Sequence, residues 1–391
     1  MTDALPRDYA GVVLACPISF GYARGTRRGV HWFLGQTLAA LLADAGLAKP
    51  DVDGLAVASY GLAPDHSVAL AEHLGMELGW CLDLPLGGAS AILAVQRAAR
   101  AVQAGDAEII ACLAADVMGD GAFAGLVGGF SSFSRDAVLP YGAGGPNQVF
   151  ALITAHYMAE TGTRREDFGA LCLAQRRYGQ ANPAALLRGR LSLEQYLKAR
   201  PIAPPLGLYD CVMPCCGAEG FLVMSEDRAR SLAIPFVRLA GAVERHHSFA
   251  DDPVQRLGGW AATRERLYAQ AGVAPADIDV LQAYDDYPVV VFMQLEELGF
   301  CEPGMAAAFV NERGVGIGQA LPLNTNGGQL SVGQAGAAGG FLGLTETLRQ
   351  LTGRALGLAV EDAHVGLVSG YGTVTYDRGL CSAAAILRAA A

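Results

Sequence analysis

Two stretches of this chain repeat one another. Asp44–Leu55 reads DAGLAKPDVDGL and Gln270–Leu281 reads QAGVAPADIDVL. Each carries the marks of a helix end, a glycine turn, an acidic pair and an apolar strand. A second echo, in the same order, joins Asp106–Asp116, DAEIIACLAAD, to Asp362–Gly372, DAHVGLVSGYG. Both follow an amphipathic helical pattern, over Ala91–Gln103 and Leu342–Leu351. Halves that each run helix, strand, helix, strand predict an α/β layer architecture built twice. At 391 residues the chain exceeds one typical core, so two cores are expected.

Between the echoes lies Gly119–Pro205, rich in glycine, aromatic residues and arginine. Val149–Glu160 and Arg165–Asn182 have helical patterns, and Gly121–Gly145 reads as loop. Leu206–Ala229 then returns to the first half with a strand, a turn and a helix. The expected division is 1–235, with 119–205 as an insertion, and 236–391.

Charge and composition narrow the function. A hydrophobic fraction of 52% with 17% charged residues describes a well-buried globular protein. A net charge of −10 argues against nucleic acid and anionic membrane as partners. Lys49 and Lys198 are the only lysines, so a phosphate-binding cation would be arginine. There is no apolar run long enough for a membrane span, and the first residues, MTDALPRDYAG, lack the basic start of a leader. A cytoplasmic location is the expectation, and the nine cysteines then read as reduced thiols. Cys211, Cys215 and Cys216 cluster without a CxxC pair or matching histidines, so no metal site is expected.

The densest motif is Leu321–Gly340, LPLNTNGGQLSVGQAGAAGG. Small residues there allow backbone to approach backbone or ligand. Asn324, Asn326, Gln329, Ser331 and Gln334 punctuate it before a helical pattern starts at Phe341. A glycine turn entering a helix presents free N–H groups that suit a developing negative charge. Upstream, Ala283–Tyr287 reads AYDDY.

Together these segments resemble the C-terminal half of thiolases of the sterol carrier protein type, whose motifs are HDCF, NTSGG and GHPLGASG. At the HDCF position this chain has Tyr284-Asp285-Asp286-Tyr287, and at the GHPLGASG position Gly333-Gln334-Ala335-Gly336-Ala337-Ala338-Gly339. Both family histidines are replaced. The resemblance extends to CCGAEGFLVMSEDRA, ending at Ala229, and so covers nearly the whole chain. It implies a five-layer αβαβα fold of two similar halves, with the insertion lying over the active site.

A thiolase needs a nucleophilic cysteine at a helix N-terminus, where the helix dipole lowers the thiol pKa. Counting back from the Gly105-Asp106 turn by the family spacing reaches Gly88, in Gly87-Gly88-Ala89-Ser90. The nucleophile is absent, and Ser90 reads most simply as a helix cap. Tyr371 aligns with the family's second cysteine, or else closes a strand end. Tyr284 stands at a catalytic histidine, and Gln334 at the other; an amide donates hydrogen bonds but carries no proton at neutral pH. Asp285 and Asp286 could tune Tyr284 or anchor its turn, with only one facing inward if the segment is a strand. His66 lies where relatives have a site loop, and His246-His247 could reach the coenzyme A entrance. Glu296-Glu297 read as surface. The expected catalytic residues are Tyr284, Tyr371, Gln334 and Asp285. Gly88, Ser90, His66, Asn324 and Gly336 are the expected substrate contacts.

Such a site can still stabilise a thioester enolate, which is also the product of retro-aldol cleavage of a β-hydroxyacyl-CoA. The pattern resembles the thiolase-like aldolases of bacterial steroid side-chain degradation, which lack the cysteine and use two tyrosines. Tyr284 matches one. Gln334 stands where the other belongs, so Tyr371 or Tyr287 would supply the second proton-transfer group. The resemblance implies a coenzyme A thioester as substrate, no separate cofactor, a homodimer, and a small partner protein with an OB fold and zinc ribbon. A divergent acyltransferase using Ser90, a non-catalytic acyl-CoA-binding subunit, and an aldolase running in the synthetic direction stay open.

Overall fold

Along its strands the chain sends alternate side chains to opposite faces, and that alternation sorts them into three cores. The protein is described here by a computed structural model covering residues 8–119, 121, 125, 131–142 and 145–390. Met1–Arg7, which carry the leader reading, lie outside the described residues, as does part of the loop expected over Gly121–Gly145. The described part of that segment includes a helix, Ser132–Ala137, because the Ser131 hydroxyl caps it by accepting the Ser134 N–H.

Among the described residues nine strands join in one sheet order. They are β1 Val12–Ala23, β2 Gly54–Ala58, β3 Trp80–Asp83, β4 Ile109–Val117, β5 Cys216–Ser225, β6 Phe236–His246, β7 Val280–Gln282, β8 Val365–Thr375 and β9 Arg378–Ala389. The order is β3-β2-β4-β5-β1-β6-β9-β8-β7. Read outward from the centre, each half follows one plan. Its first strand pairs antiparallel with its last (β1 with β5, β6 with β9), and the last pairs antiparallel with the strand before it. A parallel neighbour follows, β2 beside β4 and β7 beside β8. In the second half a single parallel bridge, Leu281 to Leu323, stands where β3 stands in the first. The halves meet where β1 pairs with β6, Leu14 opposite Val237.

The repeat seen in the sequence holds down to individual hydrogen bonds. Helix α1, Val30–Ala45, ends on Gly46 at φ 67°, and the helix Arg264–Ala271 ends on Gly272 at φ 61°. Asp51 accepts the Ala48 N–H at 2.7 Å, and Asp277 accepts that of Ala274 at 2.8 Å. Asp53 then accepts the Glu108 and Ile109 N–H groups at the start of β4, as Asp279 does those of His364 and Val365 at the start of β8.

Helix α2, Ser90–Ala104, and the helix Gly339–Leu351 sit between the two halves of the sheet. On β1, Val12 and Leu14 join Ile92, Leu93, Phe341 and Leu344 in this central core. Val13 and Ala15 join the outer core under α1, with Phe33, Leu38 and Leu41. On β9, Ala383 and Ala385 point to the centre. Ala384 and Ile386 point to a third core with Leu267, Val290 and Phe292. The result is the five-layer αβαβα arrangement.

The insertion contributes α3, Pro146–Thr161, and α4, Arg165–Ala181, which pack on α5, Arg264–Ala271, and α6, Pro288–Glu297, through that third core. Every residue of α6 is buried, which overturns the surface reading of Glu296 and Glu297. Their carboxylates are needed inside. Glu297 accepts the N–H groups of Gly258, Gly259 and Ala261, while Glu296 accepts from Tyr157 and pairs with Arg256 at 2.7 Å. The central helix of the second half is α7, Gly339–Leu351.

A buried polar tie holds α7 to the first half. Glu219 on β5 accepts the hydroxyls of Ser19 and Tyr22 from β1 at 2.8 and 2.9 Å, and that of Thr345 on α7 at 2.6 Å. Replacing one acceptor strands several donors, and each buried unsatisfied group costs about 1–3 kcal/mol. Glu219→Ala is expected to lower unfolding free energy by about 3 kcal/mol in urea titration. Glu219→Gln, which keeps an acceptor oxygen, is expected to lose less than half of that.

Candidate active site

Both central helices begin at the same cavity. The turn Gly87–Ala89 runs into α2 and the turn Gly336–Ala338 into α7, and Gly87, Gly88 and Gly336 line a cavity of about 540 Å³. Two helix N-termini aimed at one space give it the positive end of two backbone dipoles. Its walls are mostly apolar. The insertion supplies Asn147 and Phe150, the rest of the first half Tyr60, Met118, Leu208 and Val212, and the second half Tyr284, Asp286, Tyr287, Gln334 and Tyr371.

Gly88 is glycine for a steric reason. A Cβ there would stand 2.2 Å from the Tyr284 ring and 2.2 Å from the carbonyl oxygen of Tyr371. The Tyr284 ring thus fills the space that a side chain at position 88 would occupy. A nucleophile at 88 and a tyrosine in this pose at 284 exclude each other.

Tyr284 is held from behind. Its N–H donates to Gln294 Oε1 at 3.1 Å and its carbonyl accepts from Gln294 Nε2 at 2.7 Å. Its hydroxyl lies in the field of the Asp286 carboxylate. Gln334 Nε2 donates to Asp286 Oδ1 at 2.7 Å and lies 3.4 Å from the Tyr284 hydroxyl. Burial pushes the Asp286 carboxyl up to about 7; the hydrogen bonds from Tyr284, Gln329 and Gln334 oppose that rise, and the nearby Asp285 charge adds to it. Burial, with the Asp286 charge beside it, raises the Tyr284 phenol well above its ordinary value. A carboxylate balanced near neutrality beside a phenol in an apolar cavity, with one amide reaching both, is suited to moving one proton.

The structure distributes the other expected residues unevenly. Gly336, at φ 53°, lines the cavity, and a Cβ there would stand 2.2 Å from Asp116 Oδ2. Asp285 does not reach the cavity. It turns into the protein and accepts from the Gln329 and Leu330 N–H groups and from Gln175 Nε2 at 2.9, 3.2 and 3.0 Å. Residues 283–287 form a turn rather than a strand, so strict alternation fails and Asp286 takes the cavity-facing place. Asn324 is likewise structural: its Oδ1 accepts the Ala283 N–H at 2.8 Å, joining the glycine-rich motif to the Ala283–Tyr287 segment away from the cavity.

Ser90 is fully buried, and its hydroxyl donates to the Leu84 carbonyl and accepts the Leu86 N–H. It fastens the loop ahead of α2 and does not cap it, since Ala89 is the N-cap; no substrate reaches it. His66 is exposed at the start of the helix Ser67–Leu74 and does not line the cavity. His246 and His247 are exposed and also stay clear of it. Tyr371 contributes its ring and backbone, but its hydroxyl turns away, donating to Gln255 Oε1 at 2.5 Å beside Trp260. Tyr287 stacks on Phe150 at 4.4 Å and donates to Asn147 Oδ1 at 2.7 Å.

The cavity residues outside the expected site set include Asp286, Tyr60 and Asn147. For Asp286 the signal was present, as one of two adjacent carboxylates beside Tyr284. Tyr60 belongs to the same short segment as His66, where the histidine drew the attention. Nothing in the sequence marked Asn147. Among the described residues no three His, Cys, Asp or Glu side chains gather as metal ligands.

Known proteins share this fold and much of this sequence. The family described as thiolase C-terminal domain-like matches residues 241–385. A steroid side-chain-cleaving aldolase from Thermomonospora curvata is 33% identical over 355 residues, 87% of this chain and 90% of that protein. A 17-hydroxy-3-oxo-4-pregnene-20-carboxyl-CoA lyase from Mycobacterium tuberculosis is 33% identical over 349 residues, 85% of this chain and 89% of its own. A solved structure described as an Ltp2-ChsH2(DUF35) aldolase superposes with a TM-score of 0.82 at 29% identity, covering 97% of this chain and 98% of that one. With its fold, its missing nucleophile and these relatives, the chain belongs to the thiolase superfamily, in the branch of the thiolase-like aldolases.

Proposed function

We propose that the chain is a retro-aldolase that cleaves a β-hydroxyacyl-CoA through a thioester enolate, without an acyl-enzyme. The observation that carries this reading is the exchange at the centre of the cavity. Gly88 leaves no nucleophile, and the Tyr284 ring takes its space, with Gln334 Nε2 reaching both its hydroxyl and the Asp286 carboxylate. In the proposed reaction the Tyr284–Asp286 pair removes the β-hydroxyl proton. The Cα–Cβ bond breaks, a ketone or aldehyde leaves, and its electron pair passes to the enolate. The helix ends at Gly87–Gly88 and Gly336 stabilise the enolate charge. Gln334 holds Asp286 in place. The step is redox-neutral and is written with protein groups alone.

A steroid thioester suits the largely apolar cavity. The compound in the mycobacterial relative's name bears a 17-hydroxyl β to its thioester carbonyl, and retro-aldol cleavage of it gives a 17-ketone and propanoyl-CoA. That thioester is the substrate of choice for testing. We propose further that the chain works with a small DUF35-type partner, as the description of the solved relative suggests. A homodimer is also proposed, supported by β3, which ends the sheet order and leaves an edge open to pairing. Light scattering is expected to read at least twice 40.6 kDa without a partner; a monomer at micromolar concentration contradicts the dimer.

The pH–rate profile tests the proton path. Because the Asp286 carboxyl is raised to about 7, kcat/KM of the native protein is expected to fall as the pH drops through that value and Asp286 becomes protonated. Tyr284→Phe and Asp286→Asn are each expected to cost about 10²–10⁴-fold, and Asp286→Asn to lose the acid limb. Tyr371→Phe is expected to change the rate little. The linkage sign is opposite to that of a salt-bridged carboxylate. A carboxyl raised in the folded state penalises folding once the pH exceeds its unfolded value, so Asp286→Asn gains stability over the native protein more at pH 8 than at pH 5. Full activity in Tyr284→Phe removes this reading.

Restoring a thiol addresses the rival acyl transfer. Gly88→Cys is expected to displace the Tyr284 ring, lower cleavage at least tenfold and form no thiolase, because neither histidine position is restored. Intact-protein mass spectrometry of the native chain after incubation with acyl-CoA is expected to show no adduct. A stable acyl group on any Ser or Cys favours the acyltransferase.

A further inference from the structure

We propose that Tyr60 is the second catalytic proton carrier, delivering a proton to the α-carbon of the enolate after Tyr284 has taken the one from the β-hydroxyl. The inference rests on the C–C lyase reading and names the residue that completes that reaction. Cleavage requires two proton movements, one off oxygen and one onto carbon. Gln334 carries no proton it can give at neutral pH, so a second group has to come from elsewhere in the cavity.

Among the described residues five tyrosines line that cavity. Tyr371 commits its hydroxyl to Gln255, outside the cavity, and Tyr287 commits its own to Asn147. Tyr209, just past the insertion, carries the Arg176 guanidinium over its ring. Tyr60 and Tyr284 stand together at one turn. A Cβ on Gly87 would come within 2.5 Å of the Tyr60 hydroxyl, and one on Gly88 within 2.2 Å of the Tyr284 ring. The two phenols therefore stand over neighbouring residues of the turn that starts α2. The Asp286 charge acts on both of them.

Tyr60 is also positioned with care. The N–H groups of Tyr60 and Gly61 and the Ser59 hydroxyl all donate to the Asp116 carboxylate, at 3.0, 2.7 and 3.0 Å. Asp116 accepts the Ala337 N–H as well, at 2.7 Å. One buried carboxylate thus ties the Tyr60 loop to the start of α7, where Gly336 lines the cavity.

The protons balance around Asp286. The β-hydroxyl proton passes to Tyr284 as Tyr284 gives its own to Asp286. The C–C bond breaks, the carbonyl product forms and the electron pair enters the enolate. The α-carbon takes the Tyr60 proton, and Asp286 reprotonates the Tyr60 phenolate. The net change moves one hydrogen from oxygen to carbon, and every protein group ends as it began.

The test separates the two phenols by a partial reaction. Exchange of the α-hydrogens of propanoyl-CoA in D₂O, followed by NMR, uses only the carbon acid–base group. Cleavage of the 17-hydroxy-3-oxo-4-pregnene-20-carboxyl-CoA thioester uses both. With the full chain and its DUF35-type partner present, Tyr60→Phe is expected to slow exchange and cleavage alike by about 10²–10⁴-fold, with KM nearly constant. Tyr284→Phe is expected to lose cleavage and keep exchange. Tyr60→His, whose imidazole titrates near about 6.5, is expected to recover exchange in part with a pH profile moved downward. That profile carries the test if Tyr60→Phe does not fold. Native-rate exchange in Tyr60→Phe, or an unmoved profile in Tyr60→His, overturns the assignment while leaving the lyase reading intact. A native protein that neither cleaves nor exchanges brings down both.

Discussion

At the middle of this protein backbone rests on backbone. A Cβ on Gly340 would come within 2.6 Å of the Gly87 carbonyl oxygen, one on Gly370 within 2.5 Å of that of Gly88, and one on Gly372 within 1.8 Å of that of Leu86. The turn that starts α2 is therefore clamped between the first residues of α7 and the middle of β8. Only glycine allows such close approach, and it brings two helix N-termini to one cavity. The positive dipole ends, the place of Tyr284 and the cavity itself all depend on it.

The same crowding decides the chemistry. Where backbone is packed this tightly, space for one side chain is all the site has to offer. The chain spends it on the Tyr284 ring rather than on a group at position 88. The protein then needs a proton acceptor, and Asp286 supplies it at some cost in stability, since burial holds its carboxyl near neutrality. Asp285 next door is also raised, to about 6, but its oxygens are taken up by backbone and side-chain donors. Two adjacent carboxylates with similar burial thus divide into an anchor and a reactive group according to what hydrogen-bonds to them.

Duplication supplies the frame in which this happens. Asp53 and Asp279 perform the same backbone task in the two halves, and α2 and α7 are counterparts that enter the cavity from either side. The halves have diverged where they touch substrate space: the first contributes Tyr60 and Gly88, the second Tyr284, Asp286 and Gln334. An insertion in the first half adds an apolar wall through Phe150 and Leu187.

By itself the sequence determined the layer class, the duplication and the glycine at position 88, and it marked Tyr284 and Gln334 as candidates, which the fold brings to one cavity. Those features are local: periodicity, glycine turns and residue identity at motif positions need no knowledge of neighbours distant in the chain. It misjudged what depends on direction. Asp285 was preferred over Asp286 because a turn cannot be told from a strand over five residues, and the two aim their carboxylates differently. Glu296 and Glu297 read as surface because charge suggests water, whereas their partners, Arg256 and the backbone at Gly258–Ala261, lie far away in sequence. Tyr371 lost its expected role because its hydroxyl follows Gln255 out of the cavity. Tyr60 entered the site only when the Asp116 carboxylate drew its loop to the start of α7. Which way a side chain points, and what it meets there, was settled by packing between segments distant in the chain, and only the tertiary structure contains that.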